Sequence, residues 1–138
     1  MRRLKTVSAG RAEAAHHLAK AAQFLDVARF AVDDRRYDAA MLNAIHAGIS
    51  AADAVTVALA GERSADPDHL RAVTLLEQVA GTSEPVRMRA RQLRMLIEKK
   101  SAVEYESRRA SGDEASQAIE RAGRIVSWAR DAVERGRL

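Results

Sequence analysis

The sequence predicts an all-α fold, an antiparallel up-down bundle of four long helices plus one short helix, in a single domain over residues 1–138. Alanine, leucine, arginine and glutamate dominate the chain, which has only seven glycines and two prolines. No run of alternating β-branched and polar residues indicates a strand. Apolar residues instead recur every three or four positions over long stretches, which is the period of an amphipathic helix.

The first two helices are expected at residues 9–33 and 38–60. Alanine and leucine follow one side of the first stretch, and the polar segment DDRRYD interrupts the pattern. Asp38 is expected to be the N-cap of the second helix, with Tyr37 before it as part of a hydrophobic staple. Gly61 is expected to end that helix.

The remaining three helices are predicted from their caps. In the loop ERSADPD, Asp66 is expected to be the N-cap and Pro67 the first residue of a short third helix. Ser83 is expected to cap a fourth helix over residues 84–110. The segment SGDE at 111–114 has the form of a capping box and should open the last helix.

Composition excludes several kinds of site. The chain has no cysteine, so it holds neither a disulfide nor a zinc-thiolate centre. Glu13 and His16 have the spacing of a di-iron motif, but a second such motif is missing, and no metal or other cofactor is predicted. No signal peptide is recognised and no stretch approaches the roughly 20 apolar residues of a membrane span. A cytoplasmic protein without membrane contact is expected.

The net charge of +4 is unevenly distributed along the chain. Residues 85–109 carry eight basic and three acidic side chains, whereas residues 33–69 carry three basic and seven acidic ones. A basic segment opposite an acidic one indicates an anionic partner or contact between subunits, and a solvated helix face is the simpler alternative. The side chains predicted to bind nucleic acid are Arg87, Arg89, Arg91, Arg94, Lys99 and Lys100.

Four stretches, in order, resemble the HEPN superfamily of small helical-bundle domains, which are often encoded beside minimal nucleotidyltransferases. The family's opening helix and its turn are similar to AAHHLAKAAQFLDVARFAVDDRRYDAAM in this chain, and the family's second helix is similar to AIHAGISAADAVTVAL. The short third helix is similar to PDHLRAVTLLEQV, and the last two to LRMLIEKKSAVEY and SGDEASQAIERAGRIVSWA. The resemblance implies a homodimer in which a polar pair on the fourth helix lines a cleft.

The same resemblance implies where a site would lie. Catalytic HEPN members cleave RNA with an arginine that is followed four to six residues later by a histidine. Here Lys100 stands in place of the arginine, Ser101 follows it, and Glu104 and Tyr105 come where the histidine would be. The pattern is closer to the family's arginine-to-tyrosine variants. Because histidine is the side chain suited to acid–base chemistry near neutral pH, catalysis by this helix alone is not expected.

Lys100 and Glu104 also have a simpler interpretation. They lie near the apolar stripe of their helix, and residues four apart can form an ion pair there. Among the histidines, His69 is the best candidate to approach Lys100 from another part of the chain. His16 and His17 are expected at the surface and His46 at the edge of the core.

Three functions are therefore carried forward. The first is an RNA- or nucleotide-binding component of a toxin–antitoxin or defence-type module, dimeric and partnered by a small nucleotidyltransferase. The alternative is a non-catalytic homodimeric module that binds another protein. The third is a metal-independent endoribonuclease.

Overall fold

The computed structural model describes residues 4–106 and 109–136 and arranges them as five α-helices with one two-stranded ribbon. The elements in chain order are β1 (Thr6–Ser8), a 3₁₀ turn (Arg11–Glu13), α1 (Ala14–Asp33), α2 (Tyr37–Ala60), β2 (Glu62–Ser64), α3 (Leu70–Ala80), α4 (Glu84–Tyr105) and α5 (Gly112–Arg135). The all-α class and the bundle are confirmed, with α3 as the short helix.

Helix α2 lies at the centre of the bundle, because it contacts each of the other four helices. Small residues make this close packing possible. A Cβ atom added to Gly48 would lie 3.0 Å from Leu96 Cδ1 and 3.4 Å from Leu93 Cδ1 of α4, and 3.7 Å from Ile125 Cδ1 of α5. Protein interiors are packed at crystal density, so a larger residue at position 48 would force the ends of the Leu96 and Leu93 side chains to move.

The central position of α2 also explains its composition. It has 24 residues and a mean hydropathy of 1.3 over its most apolar window, enough by length and composition to cross a membrane. The expectation that no stretch approaches this limit was too strong. However, 67% of the window is buried inside the bundle, as the core helix of a soluble protein would be.

The beginning of the chain differs from the prediction, because residues 6–8 form a strand. β1 pairs antiparallel with β2, with Val7 opposite Arg63, and the 3₁₀ turn separates this ribbon from α1. Gly61 adopts φ +68°, and this left-handed conformation turns the chain from α2 into β2. Both strands have three residues, which is too short for an alternating pattern to be visible in the sequence. Helix α1 therefore begins at Ala14 rather than at residue 9.

Two predicted N-caps are wrong, because both aspartates bond elsewhere. Helix α2 begins at Tyr37, and Asp38 Oδ1 instead accepts the backbone N–H of Ala110 at 2.8 Å, which ties α2 to the loop before α5. Asp66 Oδ1 accepts the N–H of Asp68 at 3.0 Å. Asp68 in turn accepts the N–H of Leu70 at 3.0 Å, so α3 begins three residues later than its predicted first residue.

The caps of the last two helices agree better with the sequence. Ser83 is the N-cap residue of α4, although its side chain makes no capping hydrogen bond. The capping box of α5 is confirmed: Ser111 Oγ accepts the N–H of Glu114, and Glu114 Oε1 accepts the N–H of Ser111, both at 3.1 Å. Helix α4 ends at Tyr105 rather than at residue 110.

Candidate functional site

The last turns of α4 carry an ion pair at the edge of the core. Leu96 and Ile97 are buried, and the next side chains on that face are Lys100 and Glu104. Lys100 Nζ donates to Glu104 Oε1 at 2.7 Å, and the two side chains are only 19% and 25% exposed. The pKa of Glu104 is lowered, chiefly because Lys100 donates this hydrogen bond. The two charges near the apolar stripe are thus paired with each other, as neighbours one turn apart can be.

A histidine from α2 adjoins this pair. Gly48 lies opposite Leu96, and α2 and α4 run antiparallel, so His46 comes beside the last turns of α4. Burial is the main cause that lowers the pKa of His46, and the charge of Lys100 adds to it, whereas Glu104 opposes it. Its ring also packs on Phe24 of α1, with centroids 5.5 Å apart. His46 is therefore a neutral imidazole at neutral pH, able to accept a proton.

His69, which immediately precedes α3, is close enough to His46 for its charge also to lower the pKa of that imidazole. The fold thus brings His46, His69, Lys100 and Glu104 together; these four residues are called the Lys100 cluster. The sequence identified three of them. His46 was expected only at the core edge, and the signal that it also faces α4 is its position two residues before the glycine at the helix crossing.

Ser101 does not belong to the Lys100 cluster, and Tyr105 touches only its edge, where a side-chain hydrogen bond to Glu104 helps to lower the pKa of that carboxylate. Both are exposed, Tyr105 to 81%, and helical geometry places them roughly 100° and 140° around α4 from Lys100. Ser101 and the exposed ring of Tyr105 are available to a ligand on a different side of the helix.

The predicted nucleic-acid-binding residues are divided among several faces of α4. Three of them line a groove of about 340 Å³ between α3 and α4, which we call the arginine groove; its lining residues are Val73, Glu77, Arg87, Ala90, Arg91 and Arg94.

The other basic residues lie away from this groove. Arg89 is half-buried and donates from Nη1 to Gln92 Oε1 at 2.7 Å, while its buried Nε has no partner within residues 4–106 and 109–136. Lys99 lies beside Asp38 and Glu114, on the side of α4 that faces α5. Arg108, part of the basic segment, falls outside the described residues.

A second group of ionisable side chains lies where α1, α2 and β2 approach one another. Burial raises the pKa of Asp53 to about 6, against the opposing charges of Arg63 and Lys20. The same two cations, together with burial as the main cause, lower the pKa of His17. We call His17, Lys20, Asp53 and Arg63 the Asp53 cluster.

His17 corrects the sequence-based expectation of a surface position. It is 8% exposed, and its Nδ1 is buried without a hydrogen-bond partner in the part of the chain that is described. The reason is that α1 packs along α2, and the charge of Arg63 in β2 lies close enough to lower the pKa of His17. His16, its neighbour, is exposed as predicted.

No three histidine, aspartate or glutamate side chains among the described residues are arranged to hold a metal ion. The Lys100 cluster offers an ammonium, a carboxylate and two imidazole groups for binding or proton transfer. Its two histidines and lysine are the kinds of side chain that contact phosphate groups in proteins.

The family model of the HEPN domain matches residues 14–132, from the first residue of α1 into the last turns of α5. No curated protein matches the chain. The match covers most of the sequence and includes every helix and the whole of the Lys100 cluster. The resemblance seen in the sequence is confirmed, and the chain belongs to the HEPN domain family.

Proposed function

We propose that this HEPN domain is an RNA- or nucleotide-binding component of a toxin–antitoxin or defence-type module. HEPN domains are often involved in RNA binding or in nuclease and toxin–antitoxin roles, which makes this class the natural one to test. In this proposal the protein is a cytoplasmic homodimer. Its protein partner is a small nucleotidyltransferase, as expected for the family's arginine-to-tyrosine variants.

The observation that supports RNA binding best is the Lys100 cluster. Lys100 presents an ammonium group that is partly covered and held by Glu104 at 2.7 Å. A phosphate group that approaches this end of α4 meets Lys100 together with His46 and His69. Because Lys100 already donates a hydrogen bond to Glu104, a phosphate must either displace that carboxylate or share the lysine with it. The cluster therefore favours ligands with more than one phosphate contact.

The same cluster favours a metal-independent endoribonuclease as the second candidate. RNA cleavage without a metal needs a group that exchanges protons near neutral pH and a cation that stabilises the developing phosphorane charge. No histidine follows Lys100 on α4, but His46 of α2 supplies a neutral imidazole beside it. In this mechanism His46 removes the 2′-hydroxyl proton, the 2′-oxygen bonds to the phosphorus and Lys100 stabilises the negative charge. The bond from phosphorus to the 5′-oxygen breaks, and the leaving 5′-oxygen takes a proton from water.

The third candidate, a non-catalytic homodimeric protein-interaction module, is favoured by a different surface. Val27 and Phe30 of α1 are 49% and 76% exposed, and they border an open groove with Ala39 of α2. Contiguous exposed apolar side chains are typical of surfaces that bind another protein.

The test is binding and cleavage of a mixed RNA pool by the pure protein in the presence of a metal chelator. We expect Lys100→Ala to weaken binding, and Lys99→Ala, which changes a neighbouring exposed lysine on another side of α4, to serve as the matched control. His46→Ala keeps the charge of Lys100 and should weaken binding less than Lys100→Ala does; loss of cleavage by His46→Ala at RNA concentrations that saturate it supports the endoribonuclease. A wild-type protein that neither binds nor cuts RNA at low salt contradicts the proposal and favours the interaction module.

A further inference from the structure

The arginine groove has the features of a phosphate-binding surface that is separate from the Lys100 cluster. Arg87, Arg91 and Arg94 are spaced by four and three residues, so all three side chains project from one side of α4. At 1.5 Å per residue they extend over roughly 10.5 Å of the helix axis. A stacked nucleic-acid strand carries one phosphate per ~3.4 Å, so this row spans roughly three steps from one phosphate to the next.

These guanidinium groups are available to a ligand. Within residues 4–106 and 109–136, Arg87 and Arg94 make no ion pair or side-chain hydrogen bond. Arg91 is 67% exposed and lies 3.7 Å from Glu84 Oε1, an exposed pair that is weak in water. Guanidinium groups bind phosphate oxygens in a two-pronged geometry, so two unpaired guanidinium groups and a third in a weak exposed pair form a strong site for a polyanion.

The walls of the groove indicate how such a ligand would be held. Val73 and Ala90 form an apolar, buried floor between α3 and α4, and Glu77 of α3 is the one acidic residue in the lining. With an apolar floor and no aromatic lining residue, the groove contacts phosphates and does not read bases. The carboxylate of Glu77 repels an anion, so removing its charge tests whether electrostatic attraction determines RNA affinity.

Tyr105 indicates that the strand is single rather than double. It lies eleven residues beyond Arg94, roughly 20° around the helix from it, and the residue is 81% exposed. An exposed aromatic ring at the end of a basic row is a stacking platform for an unpaired base, which a duplex does not offer.

We propose that the arginine groove binds the sugar-phosphate backbone of single-stranded RNA, independently of sequence, and directs it along α4 towards Tyr105. This inference rests on the proposed function, because it specifies where an RNA strand lies on the same protein. It adds a binding surface that neither the family match nor the position of Lys100 indicates.

The experiment measures the binding of a labelled single-stranded RNA of mixed sequence, about 12 nucleotides long, by fluorescence anisotropy across a salt series. The groove variant is Arg87→Gln, Arg91→Gln and Arg94→Gln. The control variant is Arg29→Gln, Arg124→Gln and Arg130→Gln, which removes the same charge from exposed arginines of α1 and α5. All six residues are exposed, and circular dichroism confirms that both variants are folded.

We expect the groove variant to lose about tenfold or more in affinity and the control variant less than about threefold. The slope of log affinity against log salt should fall by about 2 in the groove variant, which corresponds to three lost phosphate contacts on a single strand. Glu77→Gln should bind more tightly than wild type, a gain that misfolding does not produce. A duplex of the same sequence should bind more weakly than the single strand.

Two outcomes contradict RNA binding by the arginine groove while leaving the proposed function intact. One is an equal loss in the groove and control variants, which indicates attraction by net charge alone. The other is an unchanged groove variant beside a Lys100→Ala variant that has lost binding. A duplex that binds more tightly than the single strand contradicts the assignment to unpaired RNA. A wild-type protein that binds no RNA at low salt contradicts the proposed function and the groove together.

Discussion

The Lys100 cluster and the Asp53 cluster both place a carboxylate next to basic side chains, with opposite results. In the first, Glu104 accepts a hydrogen bond from Lys100 at 2.7 Å, and its pKa is lowered. In the second, burial raises the pKa of Asp53 to about 6, although Arg63 and Lys20 are close enough to oppose the shift. No ion pair within 4 Å involves Asp53 in the described part of the chain.

The difference reflects burial as well as the direct hydrogen bond, because Asp53 is largely buried whereas Glu104 lies at an exposed end of α4. Desolvation raises the pKa of Asp53 more than its basic neighbours lower it, while at Glu104 desolvation is a smaller effect than the hydrogen bond from Lys100. Glu104 lies at the end of α4, where a donor one turn away reaches it. Asp53 lies in the middle of α2, where the basic groups reach it only at longer range.

The largest expected effect comes from removing the charge of Asp53. Asp53→Asn should increase the free energy of unfolding by about 1–3 kcal/mol at pH 8, because the native state no longer holds a desolvated carboxylate. Chemical denaturation at pH 8 measures this difference. Asp26→Asn, which changes an exposed aspartate of α1, is the matched control and should have little effect.

The pH dependence of that difference is a separate prediction. The pKa of Asp53 is raised from 3.8 to about 6 in the folded state, so the native protein binds a proton that the unfolded chain lacks between these values. Ionisation of Asp53 therefore lowers stability as the pH rises through this window. The advantage of Asp53→Asn should be full above about pH 7 and should disappear near pH 4. An advantage that stays constant from pH 8 to pH 4 contradicts the raised pKa.

The sequence predicted the helices well because their signals are local. The capping box at Ser111 and Glu114 needs only four residues, and the structure reproduces both of its hydrogen bonds. The failures arose where a side chain bonds far along the chain. Asp38 looks like an N-cap, but its partner is the N–H of Ala110, 72 residues away. The short β-ribbon likewise depends on pairing between segments that are distant in sequence.

The candidate site was predictable only in part, for the same reason. Lys100 and Glu104 are one turn apart on a single helix, and their pairing follows from helical geometry. The approach of His46 depends on how α2 crosses α4, and that crossing is set by the contact of Gly48 with Leu93 and Leu96. Gly48, two residues after His46, marks a close helix contact, but the local sequence does not say that α4 is the helix that crosses there.

A smaller expected effect tests the electrostatics of the Lys100 cluster through the pKa of the His46 imidazole. Lys100→Met keeps much of the side-chain volume and removes the charge that lowers the pKa of His46, so the pKa of His46 should rise. NMR titration of the imidazole signals measures this shift, with His46→Gln used to assign them. Lys99→Met should leave the titration of His46 unchanged, and an equal rise in that variant would show that the lysine acts through net charge rather than position.

The smallest expected effect comes from Glu104, whose charge is the least of the influences on His46 and the only one that raises its pKa. Glu104→Gln should therefore lower the pKa of His46 further, the opposite direction to Lys100→Met. The same substitution frees Lys100 from its 2.7 Å partner, so RNA affinity should increase while the imidazole becomes harder to protonate. A titration that moves upward, or an RNA affinity that falls, would mean that Glu104 holds Lys100 in its binding position rather than competing with phosphate for it.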